Sequence, residues 1–114
     1  MIAIAPTATP TILQGKNTHH IIDNIKQQHN PSKIFHVTTM ELTHMILGHI
    51  RNRTYHTEFI DWLSFFDLII VDFVDEISGR KKTQQVFREL FGTVSSMETQ
   101  VIFTANKELD FELF

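Results

Sequence analysis

Cysteine is absent from this 114-residue chain, which removes disulfides, thiolate zinc sites and thiol nucleophiles together. Apolar runs are short, and none approaches the roughly 20 residues that a membrane helix needs. The opening MIAIAPTATPTIL has no basic flank, so no signal peptide is expected, and the cytoplasm is the expected location. An excess of positive charge is also lacking, since ten Lys and Arg stand against thirteen Asp and Glu for a net charge of -3. That excludes a surface coated in basic charge but not a local cationic patch, because phosphate affinity depends on where cations cluster. Internal repeats and low-complexity segments are missing as well. What remains is 42% hydrophobic and 20% charged, the composition of one folded domain spanning residues 1–114.

Periodicity along the chain alternates between strand and helix. Thr11 to Leu13 reads as a first strand ending at Gln14 and Gly15. A helix capped by Asn17 or Thr18 follows to about Gln28, with Ile21, Ile22 and Ile25 on one face. His29-Asn30-Pro31-Ser32 stops it, and Lys33 to Val37 is the second strand. Thr38 with Glu41 three residues later forms a capping box for a helix to about Arg51, whose inward face is Leu42, Met45, Ile46 and Ile50. A polar link, Asn52 to His56, leads to a helix from about Thr57 with Phe59, Ile60, Leu63 and Phe66 inward. Asp67 to Phe73 is a strand, Lys81 to Met97 a helix buried through Val86, Phe87, Leu90 and Val94, and Gln100 to Ala105 the last strand. This alternation predicts an α/β three-layer sandwich, a short parallel sheet of about four strands with helices on both faces.

The strand from Asp67 carries the chemical signal. Leu68, Ile69, Ile70 and Val71 deliver a carboxylate, Asp72, to the strand's carboxyl end, where a parallel sheet opens onto its ligand crevice. That is the shape of a Walker B strand, in which the acid holds the Mg²⁺ of a nucleotide. The next position, where many such ATPases carry a second acid, is Phe73.

Residues 67–84, DLIIVDFVDEISGRKKTQ, resemble without a gap the Walker B region of the bacterial replication initiator DnaA, an AAA+ ATPase of the P-loop NTPase fold. Gln100 to Asn106 resembles that family's sensor 1 strand, with Asn106 at the sensor position. Residues 29–34 with the following strand, Thr38-Thr39 and long helix resemble the family's stretch before Walker B, so the likeness covers about residues 11–109. It implies a nucleotide site of Gly15, Lys16, Thr18, Asp72 and Asn106. In that family the basic segment after Walker B faces the channel that binds single-stranded DNA. The resemblance implies such a role for Arg80 and Lys82, with Lys81 inside the same run. The competing reading of this run is a solubilising loop.

Departures from the family pattern bear on activity. A P-loop needs G-x-x-x-x-G-K-[ST], so that successive backbone N–H groups wrap the phosphates. Here the equivalent is Leu13-Gln14-Gly15-Lys16-Asn17-Thr18, with one glycine, a shortened loop and Asn17 between Lys16 and Thr18. Phe73 cannot orient an attacking water; Asp75 or Glu76 would substitute only if the strand end bulged, and the favoured reading makes both solvated loop residues. The sequence given stops at Phe114, soon after the sensor strand, and no lid is expected.

Other chemistry is thinly supported. Seven histidines (19, 20, 29, 36, 44, 49, 56) form no i, i+4 pair with a supporting acid, so no metal site is expected. Arg51 and Arg53 near Tyr55 make a thin second candidate patch for nucleic acid. Phe103, Phe111, Leu113 and Phe114 are candidates for self-association. These features predict a degenerate, non-hydrolysing core that regulates or assists replication initiation. It would dock onto an initiator, a helicase loader or itself, with no cofactor expected and no membrane partner. Two alternatives stay open: an ATPase binding ATP and Mg²⁺ through an unusual loop, and a single-stranded DNA-binding module.

Overall fold

The computed structural model describes residues 10–15 and 17–113. Four parallel strands form one sheet: β1 (Thr11–Gln14), β2 (Ile34–Thr38), β3 (Leu68–Asp72) and β4 (Gln100–Ala105), in the order β1-β4-β3-β2. Four helices connect them: α1 (Thr18–Lys26), α2 (Thr39–Arg51), α3 (Ile60–Ser64) and α4 (Lys81–Ser96).

The strand period of two sorts the core into two layers. Leu68, Ile70 and Ile102 point to one face, where they meet Ile22 and Ile25 of α1. Ile69, Val71, Val101 and Phe103 point to the other, against Leu42 and Ile46 of α2 and Phe87, Leu90, Phe91 and Val94 of α4. The central strands are covered on both sides, which is why β3 reads as an unbroken apolar run. Phe91 sits in the thicker layer with its ring edge-on to Phe87 and Phe103.

Helix α2 begins where its capping box predicts. Thr38 Oγ1 accepts the Glu41 N–H at 3.2 Å, and Glu41 Oε1 accepts the Thr38 N–H at 3.1 Å. These bonds hold the Glu41 carboxyl below the ordinary glutamate value, the Thr38 backbone N–H contributing most and its hydroxyl next.

Several expectations are corrected. Helix α1 ends at Lys26, and the segment expected to be helical from Thr57 starts as a wide π turn at Tyr55–Phe59 before the short α3. Ile50, expected inward, is 49% exposed because it lies on the flank of α2 beyond Ile46. Val74–Ile77 is a 3₁₀ turn with Val74 and Ile77 buried, where open loop was expected. Of the four residues expected to drive self-association, Phe103 and Leu113 are core, Phe111 packs against the core half-buried, and Phe114 lies outside the described residues. Among the described residues, no helix is long and apolar enough to cross a membrane.

Candidate functional site

Strand order reverses between β1 and β4, so the chain leaves their carboxyl ends toward opposite faces and opens a crevice there. A cleft of about 250 Å³ occupies this place, lined by Gly15 and Thr18 after β1, His36 of β2, Asp72 of β3 with Phe73 just after it, and Asn106 after β4. Four of the five residues expected at a nucleotide site therefore converge, and Lys16 lies outside the described residues.

The alternation that buries Leu68 and Ile70 against α1 also aims Asp72 to that side. His36 and Thr104 are aimed there by the same period in β2 and β4. Asp72 Oδ2 lies 2.7 Å from His36 Nε2, and Asp72 Oδ1 accepts the Thr104 hydroxyl at 2.9 Å. Thr104 Oγ1 in turn accepts the Phe73 N–H at 3.2 Å, and the Asp72 carbonyl accepts the Thr39 hydroxyl at 2.8 Å. Both carboxylate oxygens are thus tied to neighbouring strands, rather than to the following loop.

Phe73 takes a left-handed conformation, φ 66°, that ends β3 and turns the chain into the Val74–Ile77 turn. Left-handed backbone is costly for a bulky side chain and persists where surrounding bonds enforce it, here the bond to Thr104. The ring lines the cleft and is 36% exposed, so a hydrocarbon occupies the place beside Asp72. Asp75, expected to be a solvated loop residue, instead accepts the backbone N–H of Asn106 at 2.9 Å and ties the loop after β4 to the loop after β3. Glu76 is exposed, as expected.

Only three residues, 15 to 17, separate β1 from α1. Gly15 has φ 112°, and its carbonyl accepts the Thr18 hydroxyl at 2.8 Å, closing a tight turn. Too few backbone N–H groups are present to surround a triphosphate, and the hydroxyl that a P-loop turns to Mg²⁺ is spent on that turn. Together with the engaged carboxylate of Asp72, these residues do not fit a Mg²⁺-nucleotide held in the P-loop manner.

Among the other candidates, Arg80, Lys81 and Lys82 are exposed at the start of α4, whose first turn carries no acid, and none forms an ion pair with a described residue. Tyr55, weighed as a stacking platform beside Arg51 and Arg53, is half-buried, with one face of its ring turned to Phe59 at 6.0 Å. Burial, and then the nearby Glu89 carboxylate, raise its phenol above the ordinary tyrosine value. His49 is structural, bonded to Thr54 at 2.7 Å and stacked on Phe59. No cluster of three potential metal ligands occurs among the described residues. The residue that sequence reasoning passed over is His36. Its one local signal is its place two residues before the capping Thr38, at a strand's carboxyl end.

Sheet order, the crevice at its reversal and the carboxylate at the end of β3 define an α/β core of the P-loop NTPase type. The family profile of the bacterial DnaA ATPase domain matches residues 13–110, and the chain belongs to that family. It is 31% identical over 90 residues to the chromosomal replication initiator protein DnaA of Lachnoclostridium phytofermentans, covering 78% of this chain and 20% of that protein. It is 30% identical over 76 residues to DnaA of Nostoc sp., covering 67% of this chain and 16% of that one. The chain thus spans about a fifth of the length of the curated relatives it matches. Domain III of Thermotoga maritima DnaA superposes with a TM-score of 0.72 at 16% identity, over 90% of this chain and 48% of that one. A replication initiator DnaA bound to AMPPCP and single-stranded DNA superposes with a TM-score of 0.69 at 21% identity, over 90% and 34%. At these identities the superpositions establish the fold.

Proposed function

We propose that this chain is a DnaA-like protein of replication initiation that does not hydrolyse ATP and acts in the cytoplasm by docking. Its partner is an initiator, a helicase loader or another copy of itself. The observation that carries this reading is the closed bonding of Asp72. With one oxygen on His36, the other on Thr104 and Phe73 alongside, the carboxylate serves to join three strands. Hydrolysis needs a held metal and an oriented water; the carboxylate at the metal position is engaged by two side chains, and the position beside it is a hydrocarbon. The family core survives around that site, which supports a role other than hydrolysis.

The test adds the purified chain to its cognate initiator on origin DNA and reads strand opening. A concentration-dependent change in opening without added ATPase activity supports docking. Unchanged opening, with no complex between the two proteins, contradicts it.

A second reading, single-stranded DNA contact, is supported by the cations Arg80, Lys81 and Lys82 at the start of α4, which form no ion pair with a described residue. Cations there oppose the helix dipole, so helix stability does not account for them. One structural neighbour was solved with single-stranded DNA.

A further inference from the structure

Helix α2 and the segment after it enclose a second cleft, of about 350 Å³, lined by Met45, His49, Glu58 and Trp62. It shares no lining residue with the crevice at Asp72. Each wall is a pair of residues four apart, the spacing that stacks two side chains on one side of a helical turn. Met45 and His49 lie on the flank of α2 beside the buried Leu42 and Ile46. Glu58 and Trp62 each come one residue before a buried one, Phe59 and Leu63, so they stand at the edge of the core.

The walls are fixed. His49 is bonded to Thr54 at 2.7 Å and stacked on Phe59 at 4.6 Å. The Trp62 ring is edge-on to Phe35 at 5.0 Å and to Phe66 at 5.1 Å, yet 42% of the residue stays exposed. A single exposed aromatic is ordinary. Here it shares a cleft with the carboxylate of Glu58, which is exposed and forms no ion pair with a described residue. From Thr57 to Asp67 the chain carries Glu58, Asp61 and Asp67 and neither Lys nor Arg. Lys33 is already engaged, its ammonium held by the Phe65 carbonyl at 3.0 Å and lying 3.6 Å from the Phe65 ring centroid.

We propose that this cleft takes an arginine side chain of a partner protein, the guanidinium stacked against Trp62 and paired with the Glu58 carboxylate. A guanidinium is flat, always charged and weakly hydrated, so it covers an aromatic ring while its paired donors meet a carboxylate. Met45 gives the aliphatic stem an apolar wall. The compact ammonium of lysine sheds its water less readily and fits this combination less well. An exposed ion pair alone contributes little, so the site needs the ring as well as the acid. Arginine and tryptophan are among the residue types that dominate interface energetics, and a Trp already packed loses little entropy on docking. Nucleic acid is disfavoured here, because the acids of this stretch repel phosphate. The inference rests on the docking reading above and names the chemistry of the partner's contact.

Emission of Trp62, the protein's one tryptophan, reads occupancy. The whole chain is titrated with a short blocked peptide carrying one arginine among uncharged residues. The same peptide with citrulline, the uncharged isostere, or with lysine serves for comparison. The expected result is a saturable change in emission with the arginine peptide, weakened by salt, about tenfold weaker or more with citrulline and intermediate with lysine. Glu58→Gln alters an exposed side chain, so circular dichroism is expected to match the parent. It weakens the arginine peptide about tenfold and leaves the citrulline peptide unchanged.

An arginine peptide that does not bind saturably overturns the inference, as does equal binding of the arginine and citrulline peptides or an undiminished affinity in Glu58→Gln. Displacement of the peptide by a single-stranded oligonucleotide also overturns it. So does Trp62 emission that shifts with the chain's own concentration and then ignores the peptide, which assigns the cleft to a second copy. If the peptide fails while the chain still changes strand opening by its cognate initiator, the inference falls and the docking reading stands. If the peptide binds as expected but opening and complex formation with the initiator are unchanged, docking onto the initiator falls and the cleft keeps its ligand.

Discussion

The Nε2 of His36 lies 2.7 Å from Oδ2 of Asp72, across the seam where β2 runs beside β3. The Thr104 hydroxyl holds the other carboxylate oxygen from β4, so one acid at the end of the central strand bonds both neighbouring strands. On the reading proposed above, Asp72 is an acid that joins strands rather than one that holds a metal.

If Asp72 is structural, its removal costs stability. Asp72→Ala deletes two side-chain bonds and leaves the His36 ring without its partner. The expected loss is about 1–3 kcal/mol in urea unfolding, the range for stranding partly buried hydrogen-bonding groups. Thr104→Val removes one bond to Asp72 and the acceptor for the Phe73 N–H, and is expected to cost a similar amount. A neutral or stabilised Asp72→Ala chain would mean that the carboxylate is kept for something other than the fold.

Acid sensitivity has an identifiable contributor at Glu41. Its carboxyl is held below the ordinary value by the Thr38 backbone N–H and hydroxyl. A depressed folded-state value stabilises the protein above the unfolded-state value, and that contribution is lost as pH falls through the folded one. Glu41→Gln keeps an amide able to close the capping box but does not titrate. Its unfolding midpoint is expected to fall less steeply than the parent's on the acid side. Identical acid limbs for both chains contradict this assignment.

Tyr55 is the only tyrosine, so its ionisation can be followed by ultraviolet absorbance. Burial first and the Glu89 carboxylate second place its transition above the ordinary tyrosine value. Glu89→Gln is expected to bring the transition partway down and leave it still raised, because burial remains. A return all the way to the ordinary value would show that the ring is solvated.

The basic run after Gly79 predicts a salt signature. If Arg80, Lys81 and Lys82 contact single-stranded DNA, their replacement by Ala weakens binding for all sequences. It also flattens the plot of log affinity against log salt by about 2, from three contacts at roughly 0.7 each. Unchanged affinity and slope would leave these residues as solubilising charge.

Much of this architecture was legible in the sequence because its signals are local. The unbroken Leu68–Val71 run announces a strand covered on both faces, and Thr38 with Glu41 announces a helix start, whatever the rest of the chain does. Asp72 was placed by the rule that ligand crevices lie at strand carboxyl ends, whereas Gly15, Thr18 and Asn106 beside it were implied by the family resemblance. His36 was not legible, since its role depends on the β2–β3 register that brings it beside an acid 36 residues away. The turn at Phe73 escaped because a left-handed Phe contradicts every local preference and is enforced by Thr104, a residue of another strand. Ile50 misled because helical periodicity identifies a face but not how far the neighbouring helix α4 extends to cover it.

Phosphate release by the purified chain with Mg²⁺-ATP, compared between the parent and Asp72→Ala, tests the central claim most directly. A non-hydrolysing core predicts no release above the protein-free control from either chain, with the parent folded throughout. Turnover by the parent that Asp72→Ala abolishes while remaining folded would contradict it, and would return Asp72 to the service of a metal.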